Sequence, residues 1–280
     1  MKIKFTKMQA YGNDYVYIDA IHQELTNLND LAEKISDRHF GVGSDGMVLI
    51  CASDVADFRM RIFDPDGTEA EMCGNALRST AMFVYFHKLT DKTDLTIETL
   101  GGIKEVHLEV EDGKVVNIEA MIGKPDLCTA NIPVTTEKEE FVNTKKQVAD
   151  RELALSSLSW GNPHTVTFVE DVLSYEVEKY GPVIEHLDCF PKRTNVTFAQ
   201  VVDDNNIKIR EWERGTGETI GCGTGCCTAV VFANILGMAG REVAVEQIGG
   251  TLYVKWDEEG NVHMRGPSHV VYQGEYIYEA

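Results

Sequence analysis

The chain repeats itself at a nearly constant spacing, and that repetition limits its fold more than any other feature. Residues 73–85 and 222–234 each open an apolar, helix-like run on a Cys-Gly pair, and the two starts are 222 − 73 = 149 residues apart. The same offset maps Gly12-Asn13 onto Gly161-Asn162, Gly46 onto Asn195, Arg61 onto Arg210, Phe63 onto Trp212, Asp64 onto Glu213 and Glu69 onto Glu218. Segment 95–102 maps onto 243–250 at 148, a single slip. A period this long describes two domains of one fold, not a solenoid of short units.

The 280 residues suit two domains, and 43% hydrophobic content is enough for two cores. Strand-like runs fall near 2–9, 15–19, 47–51, 57–63, 95–98, 104–110 and 115–122. In the second half they fall near 164–169, 196–202, 206–213, 243–247, 252–256 and 262–265. Helical stretches cover 28–39 and the two Cys-Gly runs. The pattern predicts an α/β (α+β) protein with an N-terminal repeat over 1–126 and a C-terminal repeat over 127–265. The link is expected within 125–150, around the charged segment 135–140. The strand-like tail, 270–278, has no evident counterpart mid-chain and is expected to return, within 266–280, to the first domain.

Composition excludes some classes. With 26 Lys+Arg against 45 Asp+Glu, a net charge of −19 is a poor match for nucleic acid. No apolar run reaches the ~18 residues of a membrane span. The first residues read as a strand and not as a signal peptide, so a cytoplasmic location is expected. The seven cysteines cannot all pair, and reduced thiols are expected. Cys51, Cys128, Cys189, Cys226 and Cys227 read as packing residues. The C-x3-C-C spacing of Cys222, Cys226 and Cys227 lacks the second close pair of a structural zinc site, and no C-x-x-C redox motif occurs.

Cys73 and Cys222 read differently. The first N–H groups of a helix have no acceptor inside it, and the helix dipole places partial positive charge there. A thiol at that position is expected to ionise more readily. The adjacent glycine allows close approach of a ligand, and the N–H groups of Gly74, Asn75, Gly223 and Thr224 can hold a carboxylate. Two matched thiols, one ionised and one protonated, can remove a proton from one face of a carbon and return one to the other. That chemistry inverts a C–H stereocentre.

Six stretches in order, 7–15, 37–46, 66–75, 161–164, 194–196 and 212–225, resemble the diaminopimelate epimerase family over nearly the whole chain. The resemblance implies two similar domains, each a curved sheet around a central helix, with the site in the cleft between them. It implies exchange of LL- and meso-diaminopimelate in lysine and peptidoglycan precursor synthesis, without pyridoxal phosphate or metal, and a possible homodimer. Matching the family's motifs assigns the two-base chemistry to Cys73 and Cys222. It assigns the reacting carboxylate to Gly74, Asn75, Gly223 and Thr224, and the substrate's amino and carboxylate groups to Asn13, Asn162, Asn195, Glu213 and Arg214. Gly46, His164 and Glu218 are further candidates near the site. Asp64 stands where the family commonly has Asn, so distal-end recognition is open: a carboxylate accepts from an ammonium but donates to a carboxylate only when protonated. Two alternatives remain, a racemase of another amino acid and, from a different class, an amino-acid binder or thiol redox protein.

Overall fold

The computed structural model describes residues 1–279 and divides the chain into two compact units. One comprises Met1–Met121 with the C-terminal segment from Arg265, and the other Ile122–Met264. Four helices are present among the described residues: α1 (Leu28–Ser36), α2 (Gly74–Phe86), α3 (Val177–Glu185) and α4 (Gly223–Ile235). The remaining regular structure is β-strand.

The repeat governs topology down to single residue pairs. In the first unit, strand Lys2–Ala10 runs antiparallel to Asn13–Asp19, which runs parallel to Met47–Cys51, itself antiparallel to Phe58–Phe63. The second unit repeats the order with Arg151–Ser159, Pro163–Phe168, Asn195–Asp203 and Asn206–Glu213. Val16 faces Met47 in the first unit and Thr165 faces Val196 in the second, and 165 − 16 = 196 − 47 = 149. Phe58–Phe63 then pairs in parallel with Asp94–Thr99, as Asn206–Glu213 does with Glu242–Gln247, and a hairpin follows in each unit.

Local sequence accounts for these elements. Along Phe58–Phe63, buried Phe58, Met60 and Ile62 alternate with partly exposed Arg59 and Arg61, the period of a strand with one apolar face. α1 buries Leu31, Ala32 and Ile35 against Val16, Ile18, Met47 and Leu49. α3 buries Val177, Tyr180 and Ile184 against Val196 and Phe198. α2 and α4 differ in kind. Nearly every residue of Gly74–Val84 and Gly223–Ala233 is buried, so each helix is enclosed by the curved sheet of its own unit.

Three features depart from the sequence reading. α3 lies in a stretch without an assigned helix and contains Pro182, which removes an internal hydrogen bond. Tertiary packing carries it, since Gly181 lies so close to the Trp212 ring that a Cβ would stand 2.6 Å from it. The segment read as a link holds strand Phe141–Val148, paired antiparallel with Arg151–Ser159. That strand is also the missing counterpart of the tail: His269–Ile277 pairs antiparallel with Lys2–Ala10 in the same way. Cys128 is exposed and is not a packing residue, whereas Cys189, Cys226 and Cys227 are buried and Cys51 is half-buried. No helix among the described residues is long and apolar enough to cross a membrane.

Candidate active site

Cys73 and Cys222 hold the same place in their units, each in extended backbone immediately before the enclosed helix. The first turns close with Leu77 N–H on the Cys73 carbonyl at 2.8 Å and Cys226 N–H on the Cys222 carbonyl at 3.1 Å. The N–H groups of the intervening residues have no acceptor within the helix.

Around Cys73 the structure brings several candidates together. Asn13 Oδ1 accepts from Cys73 Sγ at 3.5 Å and from Asn75 Nδ2 at 3.2 Å. Asn13 Nδ2 donates to Asp45 at 2.9 Å, and Arg38 spans Asp45 and Asp14 at 2.7 and 3.0 Å. Fully buried Arg78 donates to Asn75 Oδ1 at 2.7 Å and fixes the amide's orientation. The buried Tyr15 hydroxyl is held well above the ordinary phenol range by burial and by its interaction with Cys73. Gly46 borders this group through backbone: its φ is +154°, and a Cβ there would meet the Phe63 carbonyl at 2.3 Å and the Tyr15 ring at 3.0 Å. Asp64 follows the strand Phe58–Phe63. Its half-buried carboxyl has no hydrogen bond among the described residues and is raised above its ordinary pKa by burial and by Asp66.

In the second unit the Cys222 sulfur lies 3.4 Å from Thr224 Oγ1, and the Cys222 N–H donates to Gln247 Oε1 at 3.0 Å. The helix-start argument leads to a lowered thiol pKa, but here the opposite holds. Burial and the nearby Glu213 and Glu211 carboxyls push the thiol well up, outweighing Thr224 and the Gly225 N–H. Asn195 joins two other candidates: its Oδ1 accepts from the Arg214 N–H at 2.9 Å, and its Nδ2 faces His164 Nε2 at 3.5 Å. His164 is fully buried, and burial together with the Arg214 charge lowers its pKa to about 3. Glu213 accepts from Thr219 Oγ1 at 2.6 Å. Arg214 is exposed and donates to the Lys192 carbonyl at 3.1 Å. Asn162 is exposed at the turn before Pro163–Phe168.

Glu218 is engaged elsewhere. Arg210 clamps it with two bonds of 2.6 and 2.9 Å, as Arg61 clamps Glu69 with two of 2.8 Å. These bidentate pairs hold the short strands Gly217–Thr219 and Glu69–Ala70 against their neighbours.

Sequence reasoning missed three groups. Arg78 has no signal beyond a charge inside an apolar run. Glu185 is buried and accepts from Trp212 Nε1 at 2.7 Å and from the Gly215 N–H at 3.0 Å, so it anchors the turn that carries Arg214. Glu211 did leave a trace: in Asn206–Glu213 it follows Ile207 and Ile209 on the buried face. It is 2% exposed, neither carboxyl oxygen makes a well-formed hydrogen bond, and burial raises its pKa well above the usual range against the opposing effect of the nearby Thr197 hydroxyl. A buried carboxyl without such a bond costs on the order of 1–3 kcal/mol.

The diaminopimelate epimerase family profile matches residues 5–128 and 156–271. A diaminopimelate epimerase of Methanococcus maripaludis is 47% identical over 274 residues, covering 98% of this chain and 99% of that protein. One of Acetivibrio thermocellus is 44% identical over 274 residues, covering 98% of each. Among solved structures, a phenazine biosynthesis protein of the PhzF family from Bacillus anthracis superposes with a TM-score of 0.68 at 20% identity, covering 99% of this chain and 100% of that one, which speaks to fold alone. With the duplicated fold, two equivalent Cys-Gly helix starts and these matches along its length, the chain belongs to the diaminopimelate epimerase family.

Proposed function

We propose that the chain is an isomerase that interconverts LL- and meso-2,6-diaminopimelate, with the thiols of Cys73 and Cys222 as its two acid/base groups. The observation that carries this reading is the placement of the two cysteines at equivalent helix starts of a duplicated fold.

In each direction one sulfur, as thiolate, takes the Cα proton, and the other, as thiol, delivers a proton to the opposite face. The electron pair left by the C–H bond spreads onto the substrate carboxylate and then forms the new C–H bond. N–H groups of Gly74, Asn75, Gly223 and Thr224 stabilise that developing charge. Arg214 and the amides of Asn13, Asn162 and Asn195 serve the carboxylate and amino groups, and Glu213 accepts from the ammonium. Burial and the carboxyls of Glu213 and Glu211 favour the protonated form of Cys222 before substrate arrives. An ammonium on Glu213 neutralises one of the charges that hold it protonated, so substrate itself eases the thiolate form.

Asp64 supports a second substrate reading. Its unpartnered carboxyl can accept from a distal ammonium, as diaminopimelate requires, or tolerate a different side chain in a racemase of another amino acid. The family resemblance extends the main reading to a cytoplasmic homodimer, which sedimentation of the purified chain tests.

The deciding experiment is proton NMR of LL-diaminopimelate with reduced protein in D2O, repeated with Cys73→Ala and Cys222→Ala. Loss of the α-proton signal with meso product, abolished by either substitution, is expected. Full turnover by either variant would overturn the two-thiol mechanism. Absence of exchange by the unaltered protein would remove this substrate and direct the assay to other amino acids.

A further inference from the structure

His164, Glu211 and Cys222 come from three elements of the second unit: strand Pro163–Phe168, strand Asn206–Glu213 and the residue before α4. One ligand atom from each lies within 4.8 Å of the other two, and all three residues are buried. His164 Nδ1 has no hydrogen-bond partner, and neither Glu211 oxygen makes a well-formed hydrogen bond, its nearby donor being the buried Thr197 hydroxyl, although His164 and Glu211 are 0% and 2% exposed. A satisfied polar network would pair these atoms with one another. A buried imidazole nitrogen and a buried carboxyl without well-formed hydrogen bonds, beside a buried thiol, instead resemble a cage awaiting a central ion. Gly225 makes room for it: a Cβ there would stand 2.4 Å from a Glu211 oxygen, so the bare helix turn is what admits the carboxyl.

One imidazole nitrogen, one carboxylate oxygen and one thiolate sulfur form a donor set suited to a borderline divalent ion. In a tetrahedral site with bonds of roughly 2.0–2.3 Å, the ligand atoms stand about 3.3–3.8 Å apart. From an observed spacing within 4.8 Å, closure to that geometry is a shift of at most about 1.5 Å per pair.

We propose that His164, Glu211 and Cys222 form a binding site for Zn2+ or a similar borderline divalent ion, and that its occupation switches the enzyme off by holding Cys222 as a metal-bound thiolate. The switching half rests on the function proposed above, whereas metal binding stands on the geometry. The balance is simple. The thiol and the carboxylic acid each release a proton to solvent, the imidazole gives its lone pair, and three bonds to the ion form without redox change. Three neutral groups thus become a neutral complex, which suits a buried position. The charges flanking the cluster, Glu213 beside Cys222 and Arg214 beside His164, are of opposite sign. The ion here is an inhibitor and not a cofactor.

The test is titration of the reduced, chelator-stripped protein with Co2+, followed by Zn2+ competition. One Co2+ per chain is expected, with tetrahedral ligand-field bands and a thiolate-to-cobalt charge-transfer band that Zn2+ abolishes. Glu211→Gln and His164→Asn should each weaken binding at least about tenfold, and Cys222→Ser should remove the charge-transfer band. Zn2+ should suppress turnover of the unaltered, reduced enzyme over the same concentration range that fills the site, and chelation should restore it. Absence of stoichiometric binding, or binding unchanged by Glu211→Gln and His164→Asn, would overturn the site. Binding through all three residues with undiminished turnover would overturn the switch. Normal turnover without metal binding sinks this inference alone, and metal binding without any epimerase activity sinks the functional reading and the switching half while the metal site stands.

Discussion

Asn13 Oδ1 accepts a hydrogen bond from Cys73 Sγ at 3.5 Å while also receiving Asn75 Nδ2 at 3.2 Å. One amide oxygen therefore ties a strand start to the helix start that carries the thiol, and Asp45 fixes the amide from its other side. Asn13→Ala removes the acceptor of both the Cys73 thiol and the Asn75 amide, leaving Asn75 held by Arg78 alone on this side. A lost polar partner of this kind costs about 1–3 kcal/mol, so kcat/KM should fall roughly ten- to hundredfold. Steady-state kinetics with circular dichroism as a control for folding checks this. Unchanged kcat/KM would separate Asn13 from the chemistry.

Gly46 is a candidate that geometry assigns first to structure. Its φ of +154° and the Phe63 carbonyl 2.3 Å from a notional Cβ leave no place for a side chain. Gly46→Ala should lose on the order of 1–3 kcal/mol of stability. Chemical denaturation measures it. A residue that acted only on substrate would instead shift KM at unchanged stability.

How much of this was legible in sequence follows from which physical signals are local. The Cys-Gly helix starts and the alternation of Phe58–Phe63 are written in neighbouring residues, and the 149-residue offset gave both units together. α3 was hidden because Gly181-Pro182 argues against a helix locally, while its support, the Trp212 ring, is distant in sequence. The offset itself held the missing signal, since α1 at Leu28–Ser36 maps onto 177–185. Strand Phe141–Val148 read as a link because only its end residues are buried. At the site, Cys73 and Cys222 announce themselves through helix-start chemistry. That Asn13 meets Asn75, that Asn195 meets both Arg214 and His164, and that Glu218 is committed to Arg210 are matters of three-dimensional pairing. The raised pKa of Cys222 depends on burial and on Glu213 and Glu211, none of which a helix-start rule contains.

Glu185 anchors the turn after strand Asn206–Glu213 by accepting from Trp212 Nε1 and the Gly215 N–H. Glu185→Ala leaves both donors without a partner, at about 1–3 kcal/mol each, and loosens the backbone that carries Arg214. A lower melting temperature and a raised KM are expected together. Glu185→Gln keeps one acceptor oxygen and should recover part of both. Equal losses in the two variants would count against the acceptor role.

Asp14 gives the first unit a defined acid limit. Burial alone would raise its pKa, but the bonds from Lys7 and Arg38 and their charges outweigh it, and the carboxyl sits below its ordinary value of 3.8. A depressed folded-state pKa contributes stability that is present above the unfolded pKa and is lost as pH falls through the folded one. Lys7 is buried, with its side chain 8% exposed, so Asp14→Asn strands a cation. Breaking such a buried pair from one side costs about 3–5 kcal/mol at pH 7. Below the ordinary carboxylate range the native protein loses the same interaction by protonation, so the gap between Asp14→Asn and the unaltered chain should narrow as pH falls. Urea denaturation of both proteins across that range measures the gap, and a gap independent of pH would show that the Lys7–Asp14 pair is not what sets the acid limit.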